Sequence, residues 1–198
     1  MLKFVNFSAK NAKNSKERTK MKIVIFVMMA FAQSALCAEL LTPNHLFYTS
    51  EQSDEFSFEN SDKNSILQNP PPNKARIYGV RSKDYLGEKA VYKVFYQYEP
   101  KIEPNIKGQN EPIIELNAYE NNAFGTFANA SKFYKDFDTG KPLLLFAQTE
   151  TQAYIIFTPR PKRIYCVQSA VILGLHKARA NLKLIDKASC ERIYKEID

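Results

Sequence analysis

Histidine occurs only twice in this chain, at His45 and His176, and tryptophan does not occur at all. The two histidines stand far apart, and no HxxxH, CxxC or acidic ligand loop accompanies them, so the usual frameworks of a metal site are missing. No GxSxG elbow is present, which removes the common serine-hydrolase signature. Glycine is sparse, and the Gly140-Lys141 pair is no phosphate loop. Lys135 stands where the first glycine of that motif belongs, and Pro142 where serine or threonine belongs. Long apolar runs are also lacking. The best, residues 23–32 (IVIFVMMAFA), is broken by Gln33, well short of the roughly 20 residues that a membrane-spanning helix needs.

What is present begins with charge. The formal net charge is +7, which suggests a polyanion-binding protein until its distribution is considered. Residues 1–38 contain Lys3, Lys10, Lys13, Lys16, Arg18, Lys20 and Lys22 against Glu17 alone, a local excess of +6. The remainder is almost neutral, so no nucleic-acid partner is expected. A basic stretch, the apolar run and then Ser34-Ala35-Leu36-Cys37-Ala38 follow the order of a secretory signal, with cleavage placed after Ala38 and the neighbouring Cys37 as an alternative site. Met21-Lys22 begins a complete signal by itself, which makes Met21 an alternative start. Cys37 is also the candidate lipidation position. The usual lipoprotein pattern has leucine three residues before the cysteine and a small residue just before it, and here these are Ser34 and Leu36. The expected location is the periplasm or the exterior, with an outer-membrane lipoprotein as the anchored variant.

With Cys37 removed or used as an anchor, Cys166 and Cys190 are the remaining pair, and an oxidising compartment favours joining them. Such a bond would contribute on the order of 3 kcal/mol by chain entropy. Two buried free thiols or a reactive pair are the alternatives. The domain expectation is threefold. Residues 1–38 are extension and signal, residues 39–73 an acidic linker rich in Pro, Ser and Asn, and residues 74–198 the folded domain. The linker reading rests on Leu46, Phe47, Tyr48, Phe56 and Phe58 showing no sustained period, so that burial would not offset ordering entropy.

From residue 74 onward, short runs of Ile, Val, Tyr, Phe and Leu alternate with turn residues, the texture of an antiparallel sheet. Strands are expected at 75–80, 90–98, 113–118, 124–127, 132–137, 143–148, 153–158 and 163–171, with a ninth at 181–185. Tyr92, Val94, Tyr96 and Tyr98 alternate with Lys93, Phe95 and Gln97 at period two. Asp138-Thr139-Gly140-Lys141-Pro142 is expected to close a hairpin. Thr158-Pro159-Arg160-Pro161-Lys162 makes another sharp exit. Many short strands without intervening helices argue for a mainly β, antiparallel sandwich. One helix is expected, at the C-terminus. Asp186 is its N-cap, and Cys190, Ile193, Tyr194 and Ile197 form an apolar stripe that a Cys166–Cys190 bond would staple to the sheet.

The segment Lys74-Ala75-Arg76-Ile77-Tyr78-Gly79-Val80-Arg81 followed by Leu86-Gly87 resembles the opening of an uncharacterised family of bacterial envelope and lipoprotein domains. The likeness continues through Asn122-Ala123-Phe124-Gly125, Ser131-Lys132-Phe133-Tyr134 and Thr139-Gly140-Lys141. Lys162-Arg163-Ile164-Tyr165-Cys166-Val167 and Leu182-Lys183-Leu184-Ile185-Asp186 are similar to its closing strand and ending. The resemblance covers residues 74–198 and implies an immunoglobulin-like or transthyretin-like sandwich on an exported protein. It brings no catalytic residues.

Candidate chemistry is thin. Cys166 with His176 forms a conceivable nucleophile pair, but a disulfide is the stronger expectation. Asp136 with Asp138 and Glu99 with Glu103 are carboxylate pairs beside turns, where solvated acids are expected. Asn129-Ala130-Ser131 matches a glycosylation sequon. Residues 159–198 carry net +5 against −5 in residues 39–73. Arg160, Lys162, Arg163, Lys177 and Arg179 are therefore the candidate interaction surface, facing anionic lipid, a polysaccharide or the acidic segment folded back on them. Tyr92, Tyr96 and Tyr98 are a candidate sugar- or protein-binding strip. The expected function is a non-enzymatic envelope module without cofactor that binds another envelope protein or a surface polymer. An adhesin or secretion-system accessory is the alternative, and an enzyme ranks behind both.

Overall fold

The computed structural model describes residues 45–62, 65–84, 88–103, 113–118, 120–149, 152–173 and 178–198. In chain order these form β1 (His45–Phe47), α1 (Ser50–Glu55), β2 (Lys74–Arg81), β3 (Tyr92–Tyr98), β4 (Ile102–Glu103), β5 (Ile113–Ile114), a 3-10 turn (Glu120–Asn122), β6 (Ala123–Phe127), β7 (Ser131–Asp138), β8 (Leu143–Gln148), β9 (Gln152–Phe157), β10 (Ile164–Leu173), β11 (Ala178–Ile185) and α2 (Lys187–Glu196). The architecture is mainly β, with two principal sheets and a short C-terminal helix. One sheet runs β1-β9-β8-β3-β6 and the other β11-β10-β2-β7, while β4 and β5 pair separately.

The period-two rule places the core. Ala75 and Ile77 of β2, Tyr165 and Val167 of β10, and Leu182 and Leu184 of β11 share one buried cluster with Val94 of β3, Leu143 and Leu145 of β8, and Ile155 and Phe157 of β9. The two sheets therefore pack face to face over these residues. Strands β8 and β9 read LLLFAQ and QAYIIF rather than alternating because their other face is covered too. Leu144, Phe146, Tyr154 and Ile156 lie under Ile114, Leu116, Ala118 and Ala123. A strand buried on both faces has no reason to alternate.

On the outer side of the four-stranded sheet, Tyr78, Val80, Ile164, Cys166 and Ile185 form a third cluster beneath α2, which contributes Cys190 and Ile193. Cys166 and Cys190 are joined as a disulfide with Cα atoms 6.1 Å apart. Helix α2 begins where the sequence places it. The Asp186 carboxylate accepts from the Ser189 amide at 2.9 Å, while the Asp186 carbonyl accepts from the Cys190 amide at 3.0 Å. Bonds from the Ser189 amide and hydroxyl hold the Asp186 carboxyl below its ordinary value of 3.8. A depressed carboxylate adds stability that is complete above its unfolded value and lost as pH falls through the lower folded one. Asp186→Ala should thus cost about 1 kcal/mol in urea melts at neutral pH, and the gap from the parent should narrow as the medium is acidified below the ordinary carboxylate range. A gap that does not change with pH would show that the carboxylate is not what caps the helix.

Four sequence expectations about the fold are corrected. First, the pairing is not purely antiparallel, since β2 and β10 run parallel, as do β1 and β9. These partners are far apart in sequence, so no hairpin dictates their direction. Secondly, Asp138-Thr139-Gly140-Lys141-Pro142 closes no hairpin. Strand β7 belongs to one sheet and β8 to the other, so the turn is a corner between layers. Gly140 takes φ +79° there, and its amide donates to the Pro159 carbonyl at 3.0 Å, which ties this corner to the one leading into β10.

Thirdly, the acidic segment expected as a linker is folded over its described residues, and one unit spans Pro43–Asp198. Thr49 and Gln52 form a capping box at the start of α1, and Leu67 is fully buried. Tyr48, Phe56 and Phe58 lack a common period because each sits on a different local element and inserts separately. Fourthly, the expected strand at 113–118 is confined to Ile113–Ile114, after which Leu116 and Ala118 pack onto the outer cluster from irregular chain.

Candidate functional site

Most of the candidate cations belong to the corner between β9 and β10. Its backbone is pinned from several directions. The Lys162 amide donates to the Lys74 carbonyl at 2.9 Å, and the Arg160 amide donates to the Tyr165 hydroxyl at 3.0 Å. Lys162 adopts φ +64°, a conformation in which a non-glycine residue is uncommon and which the pinning maintains. Burial pushes the Tyr165 phenol above its ordinary value, opposed by the Arg160 amide, so the hydroxyl stays neutral as an anchor.

The acidic segment meets this corner directly. Asp54 pairs with Arg160 at 2.5 Å, and Glu59 lies 3.9 Å from Arg163. Between them, the Phe58 amide donates to the Ile164 carbonyl at 3.1 Å and the Ile164 amide donates to the Phe58 carbonyl at 2.8 Å. The Tyr48 hydroxyl accepts from the Leu184 amide at 3.1 Å. Folding back of the acidic segment on Arg160 and Arg163 is therefore what the structure contains. Lys162 is exposed beside them, and Arg179 lies on β11 opposite Ile172. Lys177, His176 and Cys37 lie outside the described residues, as does the signal.

The expected tyrosine strip faces the other way. Tyr92 is buried, and its hydroxyl bonds to the Ser169 hydroxyl on the opposing sheet. Burial raises its phenol pKa, partly offset by that bond. Tyr96 packs against Phe137 and Tyr98, with ring centroids 5.2 and 5.8 Å away, and the Tyr98 hydroxyl accepts from the Asp138 amide at 2.8 Å. The alternation along β3 holds, but the apolar face it defines points into the gap between the sheets. These rings are cross-layer struts and not an exposed strip.

An exposed aromatic surface does exist on the other sheet. Strand β7 forms the edge of the four-stranded sheet and turns Lys132, Tyr134, Asp136 and Asp138 toward the outer face that α2 leaves uncovered. Tyr134 is 51% exposed. The Arg76 guanidinium lies 4.3 Å from its ring centroid and forks onto Asp136 with bonds of 2.7 and 2.9 Å. The Asp136 bond and charge raise the Arg76 pKa against the lowering effect of burial, which keeps this planar fork charged and fixed. Tyr78 is 5.4 Å from Tyr134. Lys132 lies over Tyr194 at 4.4 Å and pairs with Asp198. The result is a rigid, half-exposed ring framed by donors and acceptors, suited to stacking against a sugar or an apolar side chain while hydrogen-bonding at its rim. Sequence reasoning missed Tyr134, although the polar residues at every second position of β7 were its signal.

The remaining chemical candidates are engaged elsewhere. The described cysteines are bonded to each other. Asp138 pairs with Lys74 at 2.5 Å and Glu99 with Lys141 at 3.1 Å, while the Asn129 side chain accepts from the Asp84 amide at 2.8 Å. Among the described residues no group of three or more His, Cys, Asp or Glu side chains is placed to hold a metal ion, and no helix is long and apolar enough to cross a membrane. An open groove of about 310 Å³ lies along α2, lined by Asp62, Ser65, Ile66, Lys187, Glu191 and Lys195.

No family model, characterised protein or solved structure matches this chain.

Proposed function

We propose that this chain is an exported, non-enzymatic module of the bacterial envelope, a sandwich of immunoglobulin-like or transthyretin-like type that binds another envelope protein or a surface polymer. The observation that carries the reading is the Tyr134 platform. A large ring stands half-exposed on the part of the sheet face that α2 leaves uncovered, stacked by the Arg76 guanidinium that Asp136 fixes. Exposed aromatic rings backed by fixed polar groups are a recurrent means of recognition. The Cys166–Cys190 bond supports export, since such bonds persist where thiols are not kept reduced.

The test is to replace Tyr134 with a photo-crosslinking phenylalanine in the full chain expressed in its own cell, with the same replacement at exposed Val91 as control. The expected result is an adduct with one envelope component from position 134 and none from position 91. Absence of any adduct at 134, with the protein exported and its disulfide formed, overturns the platform reading. Recovery of reduced protein from the cytoplasm overturns the export reading. Tyr134→Ala should abolish the same adduct when the crosslinker is moved to Lys132, while costing about 1 kcal/mol of stability through the lost ring contacts with Arg76 and Tyr78.

A further inference from the structure

Residues 45–59 sit on the fold as a bound peptide would. Strand β1 adds to the edge of the five-stranded sheet, parallel to β9, and the Tyr48 amide extends the ladder to the Ile156 carbonyl at 2.9 Å. Beyond it the aromatic residues dock singly. Phe56 stacks edge-on to Tyr48 at 5.8 Å, and Phe58 bridges to Ile164. Acidic residues then meet the corner, Asp54 on Arg160 and Glu59 on Arg163. Of the side chains described between Leu46 and Glu59, Ser53 is the one that is buried, so the segment lies on the surface and is not threaded through it.

Its partners, β9, β10, β11 and the corner, are all remote in sequence. A segment held by remote groups makes the same interactions whether it arrives from its own chain or from another copy. Asn60 marks where it joins the body, since its amide donates to the Asn69 side chain at 2.9 Å and the Asn69 side chain donates back to the Asn60 carbonyl at 2.8 Å. Charge identifies what the groove accepts. Residues 45–59 carry Glu51, Asp54, Glu55 and Glu59 without a lysine or arginine, whereas the corner presents Arg160, Lys162 and Arg163.

We propose that the β9 edge and the 158–163 corner form a docking groove for an acidic, aromatic strand, and that a second copy of this chain fills it with its own residues 45–59 in reciprocal exchange. The exchange is symmetric, so every docking interaction given up within a chain re-forms between chains. Closure within one chain is favoured at low concentration by its tether, and exchange takes over as copies are concentrated. This surface is separate from the Tyr134 platform, and its failure leaves that reading intact.

A charge-swap experiment tests it on the full mature chain. Asp54→Arg with Glu59→Arg reverses the segment, and Arg160→Glu with Arg163→Glu reverses the corner. In each variant alone the segment and groove repel. In an equimolar mixture each segment fits the other variant's groove. Size-exclusion light scattering should give monomers for each variant, a 1:1 dimer for the mixture, and a monomer again for the chain carrying all four changes. A monomeric mixture, with both variants retaining the parent circular dichroism and the Cys166–Cys190 bond, overturns the proposal. As a second readout that needs no corner variant, a labelled peptide of residues 45–59 should bind the Asp54→Arg/Glu59→Arg chain at least about tenfold more tightly than the parent, whose groove is filled. Equal lack of binding to both overturns it as well.

Discussion

Replacing Cys166 and Cys190 together by alanine should lower the unfolding free energy by about 3 kcal/mol and the melting temperature by about 10 °C for a unit of this size. Two effects combine. The bond closes a loop with a sequence separation of 24, and opening it restores conformational freedom to the unfolded chain. It also fastens α2 to the sheet. Cys190 and Ile193 are the buried side chains of that helix, and only Tyr194 and Ile197 add partial burial against the same cluster. Ten residues are too short to hold helical form without such support. The loss should therefore appear first as hydrogen exchange confined to α2, with the strands still protected. Non-reducing peptide mapping supplies the direct check, because two separately alkylated thiols in the native protein would remove the basis of the prediction.

Gly125→Ala should cost about 2 kcal/mol, although alanine is the smallest possible change. The reason is Phe133. Its ring lies where side chains of the opposing strands would stand, and a Cβ on Gly125 would come within 2.2 Å of it, while one on Gly79 would come within 2.6 Å. The ring is not free to retreat. Phe124 and Phe127 pack edge-on against it at 5.0 and 4.9 Å, and a register shift between Val94 and Phe95 of β3 lets both of those residues reach the shared core. Phe133 thus keys together an edge strand from each sheet. Combining Gly125→Ala with Phe133→Leu should recover part of the loss, since the smaller side chain vacates the space the methyl group needs. Strictly additive losses in denaturant melts would mean that the ring is not what excludes the methyl group.

How much of this is legible in the sequence varies with how local the deciding interaction is. Asp186 and the stripe of Cys190, Ile193, Tyr194 and Ile197 announce α2 because capping and helical period are settled within a few residues. Most strand positions after residue 73 are legible for the same reason. The candidate surfaces are only half legible. Arg160 and Arg163 stand out as a charge excess and the segment before residue 73 as its opposite, but the choice of Asp54 for Arg160 depends on α1, a helix of six residues with too little periodicity to announce itself. Tyr92 and Tyr96 lie on the strand face that alternation assigns them. Whether that face meets solvent or another sheet is not encoded in β3 itself.

The sequence by itself determined most of the strands after residue 73, where the terminal helix starts, that Cys166 and Cys190 suit one another, and that charge divides between an acidic early segment and a basic late one. These are properties of neighbours along the chain. Only the tertiary structure decided that β2 runs parallel to β10, that the Gly140 turn passes between layers, that a segment of linker-like composition packs on β9 and the Arg160 corner, and that Tyr134 and not Tyr92 is exposed. Each of those outcomes depends on which surfaces remain uncovered after the two sheets close on one another. That balance is struck between residues as far apart as Tyr48 and Leu184, and no local pattern contains it.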